Sequence, residues 1–314
     1  MGKIGRTWDR TLRVAVGGLA VATVAGFLGG WAWWLDLFAH FRVQYLATGL
    51  ALAFAALLAR RRWAAVAAAA LTAVNLAVVL PVVSGFPTLA ASDGAGRLLK
   101  VITFNAFYRN ADFAALAAFL RREDADLALL VEVPPAWKDA FDELASVYPH
   151  RLVKTVGVSR GIALLSKQPC AEARVLRDPA YGLPTVVCRF ERAAGNFRVI
   201  GAHFAHPLLP AKALAQQSQI DVVRRLLADR ADPTMVIGDL NMTVWSRSWH
   251  RLVEASGLEP APGLVPTWPS ALRPLGIAID HVLATREIRI EKTWPGPDLG
   301  SDHRPLLAEV RIPR

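Results

Sequence analysis

The informative residues are polar side chains standing where apolar strands should end. Asn105 closes Val101-Ile-Thr-Phe-Asn105, Glu132 closes Leu129-Leu-Val-Glu132, and His203 closes Val199-Ile-Gly-Ala-His203. Asp239 and Asn241 follow Met235-Val-Ile-Gly238, Asp280 lies in Ile277-Ala-Ile-Asp-His281, and Asp302-His303 stands in Gly300-Ser-Asp-His303. A buried charge is costly unless it is paired or bound to a metal. Singly, each has an ordinary reading: Asn105 as a turn cap, Asp239-Leu-Asn241 as a loop or helix opening, His203 as a hydrogen-bonded core residue. Glu132 resists that reading, because five apolar residues precede it and Val133 follows.

Together they describe a chemistry. Carboxylates and amide oxygens with few Cys suit a hard divalent cation such as Mg²⁺. A His beside a carboxylate moves protons near neutral pH, and a second His with an Asn can donate to a phosphoryl oxygen. The set fits metal-assisted hydrolysis of a phosphate ester. No Ser nucleophile elbow, glycine-rich phosphate loop or zinc spacing occurs, and His203 and His206 lack a third soft ligand.

The elements that must position these residues form an α/β pattern from Leu98 onward. Strands are expected at Leu98–Phe104, Asp126–Val133, Thr234–Gly238, Ala278–Thr285, Ile288–Thr293 and Leu306–Ile312. Gly161–Ser166, Glu172–Arg177, Thr185–Glu191 and Phe197–His203 read as one meander, and helices are expected at Ala111–Arg122, near Pro135–Ser146, and from about Pro210 to Asp229. In layered α/β folds strand ends on one edge converge on a shared cleft. Cys170 and Cys188 fall near the ends of neighbouring expected strands, where a disulfide and two buried thiols both remain open.

The first third has a different composition. Val14–Leu35, Val43–Ala59 and Trp63–Val83 are uncharged runs of 22, 17 and 21 residues. Such lengths suit three membrane spans. Lys3, Arg6, Arg10 and Arg13 precede the first, Arg60, Arg61 and Arg62 link the second to the third, and Arg42 alone lies in the first link. That asymmetry predicts a cytoplasmic N-terminus and an extracytoplasmic domain after Val83, with the Trp31–Trp34 cluster at the outer interface. The expected organisation is a membrane anchor over 1–83, a linker over 84–97 and a catalytic domain over 98–314.

The motif order TFN, LLVE, GIALLSK, GAHF, GDLN, Pro266-Thr-Trp268, IDH and SDH resembles the endonuclease/exonuclease/phosphatase superfamily, from Leu98 to the C-terminus. The resemblance implies a sandwich of two mixed β-sheets flanked by helices. It also implies Glu132 as principal Mg²⁺ ligand (Mn²⁺ a possible substitute), with Asn105 and Asp302 completing or orienting the metal site. Asp239 would position or deprotonate the attacking water, and Asn241 and His203 would contact the phosphate. His303, held by Asp280, would be the acid/base group or a charged transition-state stabiliser. One departure is Val131, where the family often has Gln before the Glu.

His206-Pro207, Pro210, Gln216, Gln217, Gln219, Val244-Trp-Ser246 and Thr267-Trp-Pro269 are similar to bacterial membrane-anchored members, including proteins linked to teicoplanin resistance. The implied substrate is nucleic acid or a lipid-linked phosphate of the cell envelope, and no obligate protein partner is evident. The alternative is a non-catalytic membrane receptor or scaffold that retains the fold.

The formal charge is +10 over 314 residues, with 20% charged and a mean hydropathy of +0.31, which excludes intrinsic disorder. Residues 1–97 carry a net +6 and the remainder a net +4. Most of the excess is therefore a topology signal, and charge alone does not argue for nucleic acid.

Overall fold

The computed structural model describes residues 3–84, 96–155, 157–179, 181–193, 195–254 and 256–313, so most of the expected linker lies outside the described residues. The chain forms two compact units, residues 1–85 with 243–249, and residues 86–242 with 250–314.

The first unit is helical: α1 (Lys3–Ala25), α2 (Trp33–Asp36), α3 (Arg42–Leu58) and α4 (Arg62–Ser84). Among the described residues, two stretches are long and apolar enough to cross a membrane, Trp33–Leu58 and Arg62–Ser84, where three were expected. The stretch 14–35 is not one helix. α1 ends at Ala25, and the turn before α2 holds Gly26, Gly29 and Gly30. The uncharged part of α1, Val14 to Ala25, rises only about 18 Å, short of the ~30 Å hydrocarbon core. Leu12 and Val16 of α1 pack with Ala56, Ala64, Ala65 and Ala68. Asp9 lies 3.6 Å from Arg61, and the Arg13 guanidinium 5.6 Å from the Trp63 ring centroid. The basic half of α1 thus lies beside the α3–α4 link.

The segment 243–249 belongs to this unit. Trp245 Nε1 donates to Val78 O at 3.3 Å, and His40 Nδ1 lies 3.2 Å from the Thr243 N–H nitrogen. The Asp36 carboxylate accepts from Arg247 N at 2.6 Å and from Ser248 N at 3.3 Å. A carboxylate at the start of a helix satisfies amides that have no intrahelical partner.

The second unit runs β1 (Arg97–Asn105), α5 (Phe113–Glu123), β2 (Leu127–Val131), β3 (His150–Lys154), β4 (Ile162–Ser166), β5 (Glu172–Arg177), β6 (Pro184–Phe190) and β7 (Phe197–His203). It continues with α6 (Pro210–Ala228), β8 (Thr234–Asp239), α7 (Arg247–Val253, its first turn in the other unit), β9 (Leu258–Pro260), β10 (Asp280–Thr285), β11 (Arg289–Pro295) and β12 (Leu306–Ile312). Two six-stranded sheets result, ordered β11-β12-β1-β2-β4-β3 and β5-β6-β7-β8-β10-β9. Each holds one parallel pair, β1 with β2 and β7 with β8, among antiparallel neighbours. The expected sandwich of two mixed sheets is present.

Three expectations need correction. β4 pairs with β2 and β3, so the expected meander is divided between the sheets and only β5, β6 and β7 remain in sequence. The helix expected over Pro135–Ser146 is two short 3₁₀ turns, Pro135–Trp137 and Ala140–Leu144, whose buried Trp137, Phe141 and Leu144 pack with α5 and the sheet. β3, β9 and α7 were not anticipated. β3 is an edge strand of mixed charged and apolar residues, the usual protection for an exposed sheet edge.

Side-chain alternation separates two apolar layers. Leu99 and Val101 of β1 and Leu127, Leu129 and Val131 of β2 meet Val199, Met235, Ile237 and Val282 of the other sheet. Ile102, Phe104, Ala128 and Leu130 face the opposite way, onto Leu116, Phe119 and Leu120 of α5. A disulfide joins Cys170, just before β5, to Cys188 on β6, with Cα atoms 5.7 Å apart.

Candidate active site

The same alternation places the site. Asn105 shares the inner face of Val101 and Thr103, His203 that of Val199, Asp239 that of Ile237, and Asp280 that of Val282. Each is the terminal inward residue of its strand, so the apolar stripe between the sheets ends in a polar cluster. Register aligns the row, since His203 pairs with Asp239 across β7 and β8, and Asp239 with Asp280 across β8 and β10.

Glu132 would break this pattern. Alternation after Val131 directs it toward α5, but its φ of +52° is left-handed and turns the chain there. Its carboxylate instead accepts from Asn105 Nδ2 at 3.1 Å and lies 3.6 Å from His203 Nε2. Phe107 and Asn241, beside the same cluster, also carry positive φ. Non-glycine residues in this region gather at functional sites. Gly238 serves by close approach: its φ is +139°, and a Cβ there would stand 1.8 Å from Ala202 O.

The contacts knit the groups together. Asn105 Nδ2 also donates to Asp239 Oδ2 at 3.0 Å, while its Oδ1 accepts from Phe107 N at 3.0 Å. The amide therefore bridges two carboxylates. His303 Nδ1 donates to Asp280 Oδ2 at 2.8 Å, and its Nε2 lies 3.8 Å from Asp239 Oδ2. Asn241 donates its backbone N–H to Asp239 Oδ1 at 3.0 Å and its side-chain amide to Phe204 O at 2.9 Å. Asp302 is exposed and accepts from Trp268 Nε1 at 3.2 Å. All eight expected site residues thus belong to one neighbourhood, with Asp302 and Asn241 at its margin.

Electrostatics divides the groups by protonation. Burial raises the Glu132 carboxyl, and the negative Asp302 adds to the effect against hydrogen bonds from Asn105 and Tyr108. Asp239 is pushed up to about 7, by burial first and then by Asp280. Burial lowers His203 to about 4, with the charge on His303 acting in the same direction. At neutral pH His203 is therefore a neutral imidazole and its approach to Glu132 is no ion pair. Burial would lower His303 as well, but Asp280 and then Asp239 overcome it and hold it up at about 10. The site keeps one permanent imidazolium against several carboxylates.

That excess of carboxylate oxygen suits a divalent cation. Asp239, Asp280 and His303 offer donor atoms within 4.8 Å of one another, and Asp280 Oδ1 is buried without a hydrogen-bond partner. Glu132, buried and within reach of the Asp302 charge, has its negative form disfavoured until a positive charge arrives. The residues present fit a hard metal ion.

Four supporting residues lay beyond the sequence reading. Gln219 of α6 donates to His203 O and accepts from Ala205 N, both at 2.8 Å, which fixes the end of β7. Ser301 Oγ donates to Asn105 O at 2.8 Å and accepts from His303 N at 3.0 Å, tying the first strand to the SDH segment. His281 Nε2 donates to Met242 O at 2.7 Å, and Thr267 Oγ1 accepts from Asp280 N at 3.4 Å. Gln219 stands among the noted glutamines. Ser301 offered only its place in SDH, His281 its place in IDH and Thr267 its place in Pro266-Thr-Trp268, and none had a role from sequence.

Residues 102–303 match the Endonuclease/Exonuclease/phosphatase family, which is most of the chain. The chain belongs to this family, whose members are metal-dependent phosphoesterases and nucleases. Among solved structures, an endonuclease/exonuclease/phosphatase from Beutenbergia cavernae is 20% identical, with 69% of this chain and 72% of that one covered and a TM-score of 0.58. Truncated Caenorhabditis elegans TDP2 is 16% identical over 69% of this chain and 99% of that one, TM-score 0.56. The 3′ phosphatase NExo from Neisseria, solved with a product DNA hairpin, is 15% identical over 67% and 98%, TM-score 0.56. At these identities the likeness is one of fold. No curated protein matches the sequence.

Proposed function

We propose that this chain is a membrane-anchored, Mg²⁺-dependent hydrolase of phosphate esters whose catalytic unit faces the outside of a bacterial cytoplasmic membrane. The observation that carries the catalytic part is the joining of Glu132, Asn105, His203, Asp239, Asp280 and His303 at the end of the inter-sheet core. Glu132 and Asp302 are the residues to hold the cation, with Asn105 orienting Glu132. Bound there, it would neutralise phosphoryl charge and polarise the P–O bonds.

The protein's own groups do the rest. Asp239, raised by its burial, positions a water molecule and takes its proton as the oxygen attacks phosphorus. Neutral His203 and the Asn241 amide hold phosphoryl oxygens. His303, charged and fixed through Nδ1 by Asp280, stabilises the growing negative charge and donates a proton to the departing alcohol oxygen. The P–O ester bond breaks, and alcohol and phosphate leave.

The anchor is read as three spans, with the short uncharged part of α1 and the turn to Trp34 completing the first. Supporting this, the basic ends of α1 and the α3–α4 link lie together, as a cytoplasmic face requires. The Cys170–Cys188 disulfide suits an oxidising compartment. Between the two substrate classes, a lipid-linked phosphate is favoured. Leu208 and Leu209 are 61% and 55% exposed after β7, and Leu272 and Leu275 are 57% and 54% exposed in the segment that begins where Ser270 N meets Asp302 O. Apolar residues at that margin suit an acyl or prenyl chain better than a nucleotide strand.

Full-length protein in detergent with Mg²⁺ should release phosphate from a prenyl diphosphate or a phospholipid head group faster than it nicks plasmid DNA. The reverse order would defeat the lipid assignment. A C-terminal reporter active only in the cytoplasm would defeat the outward orientation.

A further inference from the structure

We propose that Arg160, His206 and Lys212 form a subsite for a second phosphate of the substrate, next to the one being cleaved; this rests on the phosphoesterase reading. The three residues come from separate segments. Arg160 precedes β4, His206 lies three residues after His203, and Lys212 is in the first turn of α6.

One small packing unit gathers them. Tyr181 and Leu183 of the β5–β6 loop pack with Ala205 and with Ala215 of α6. Asp178 shapes that loop by accepting from Tyr181 N at 2.6 Å, and Arg160 donates to Tyr181 O at 2.5 Å. Ala205 leads directly to His206, and Ala215 follows Lys212 by about one turn of α6. Lys212 Nζ contacts His206 Nε2.

The unit adjoins the catalytic carboxylate. Gly161, next to Arg160, accepts at its carbonyl from Val133 N at 3.2 Å, immediately after Glu132. His206 lies three residues beyond His203, whose Nε2 is 3.6 Å from the Glu132 carboxylate. The three residues therefore border the site on its Glu132–His203 side.

Their arrangement is suited to an anion. Among the described residues, neither Arg160 nor Lys212 forms a salt bridge with a carboxylate. The Lys212 ammonium donates to His206 Nε2, and the Arg160 guanidinium is held by Tyr181 O of the same packing unit, so two cations without carboxylate partners stand around one small cluster. Lys212 and His206 are solvent-accessible, so such a group can enter. Arg and Lys together bind phosphate through a planar fork and a point charge. The chemistry recognised is a second phosphate close to the scissile one. It is found both in a diphosphate ester and in a nucleic-acid strand.

The test measures binding apart from turnover. Full-length protein in detergent with Mg²⁺ is titrated calorimetrically with methylenediphosphonate, which is not hydrolysed at its P–C–P bridge, and with inorganic phosphate. The diphosphonate should bind at least about tenfold tighter, and Lys212→Ala and His206→Ala should abolish that advantage while leaving phosphate affinity unchanged. Lys212→Arg should restore it, which separates the subsite from a folding defect. Equal affinity for the two probes, or an advantage untouched in Lys212→Ala, overturns the subsite. Displacement of the diphosphonate by farnesyl diphosphate or by 5′-phosphorylated thymidine dinucleotide identifies which source the subsite accepts. Hydrolysis of p-nitrophenyl phosphate is followed alongside. Absence of turnover in the wild type on both this monoester and bis(p-nitrophenyl) phosphate defeats the phosphoesterase reading, whatever the binding shows.

Discussion

At the scale of single residues, the site is a set of carboxylates brought closer than their charges favour. Asn105 relieves part of the repulsion between Glu132 and Asp239, because one amide NH₂ reaches both. Asn105→Asp would add a third negative charge in place of that bridge, and we expect activity to fall about 10²-fold or more with a raised metal requirement in the initial-rate titration. Asp280 acts through His303. Asp280→Asn removes the partner that holds the imidazolium, so turnover should drop by about 10²–10⁴ with KM little changed; a rise in KM alone would make Asp280 a substrate-binding group instead. Most of this cluster was legible in the sequence, since a polar residue ending a run of inward apolar positions betrays a site. What was not legible is the turn at Glu132. Periodicity directs its side chain to the wrong layer, and only the left-handed backbone corrects it. Ser301 and Thr267 were hidden for another reason, because a hydroxyl that accepts or donates one hydrogen bond has no signature in spacing.

At the scale of elements, the close contact of β7 with β8 fixes the geometry. Gly238 sits where a Cβ would collide with Ala202 O, and its neighbour is Asp239. Gly238→Ala should therefore separate the parallel pair and displace Asp239, seen as a loss of cooperative thermal unfolding or as a folded protein without activity. A folded and fully active Gly238→Ala variant would show that this approach is dispensable. Strands with uninterrupted apolar runs, such as β2 and β8, were expected at nearly their true limits. The failures share a cause. β4 was placed with β5 because short connections suggest pairing, yet burial of all five of its residues between β2 and β3 drew it into the other sheet. The segment 135–146 has helical composition, but Trp137, Phe141 and Leu144 are satisfied by two short turns packed against α5.

At the scale of the whole molecule, the chain joins an apolar helical unit to a sheet sandwich stapled by one disulfide. Closing the 18-residue separation between Cys170 and Cys188 should stabilise the catalytic unit by about 3 kcal/mol. Cys188→Ser should lower the denaturant midpoint accordingly, and dithiothreitol should do the same to the wild type but not to the variant. The central claim is that the carboxylate cluster hydrolyses phosphate esters with a divalent cation. Its most direct test is full-length protein stripped of metal and assayed on bis(p-nitrophenyl) phosphate and p-nitrophenyl phosphate, with and without added Mg²⁺ or Mn²⁺. The account predicts activity that appears only with added metal and is lost in Glu132→Gln and Asp239→Ala. Activity in the stripped protein equal to that with Mg²⁺, or turnover by Asp239→Ala at the wild-type rate, would contradict it.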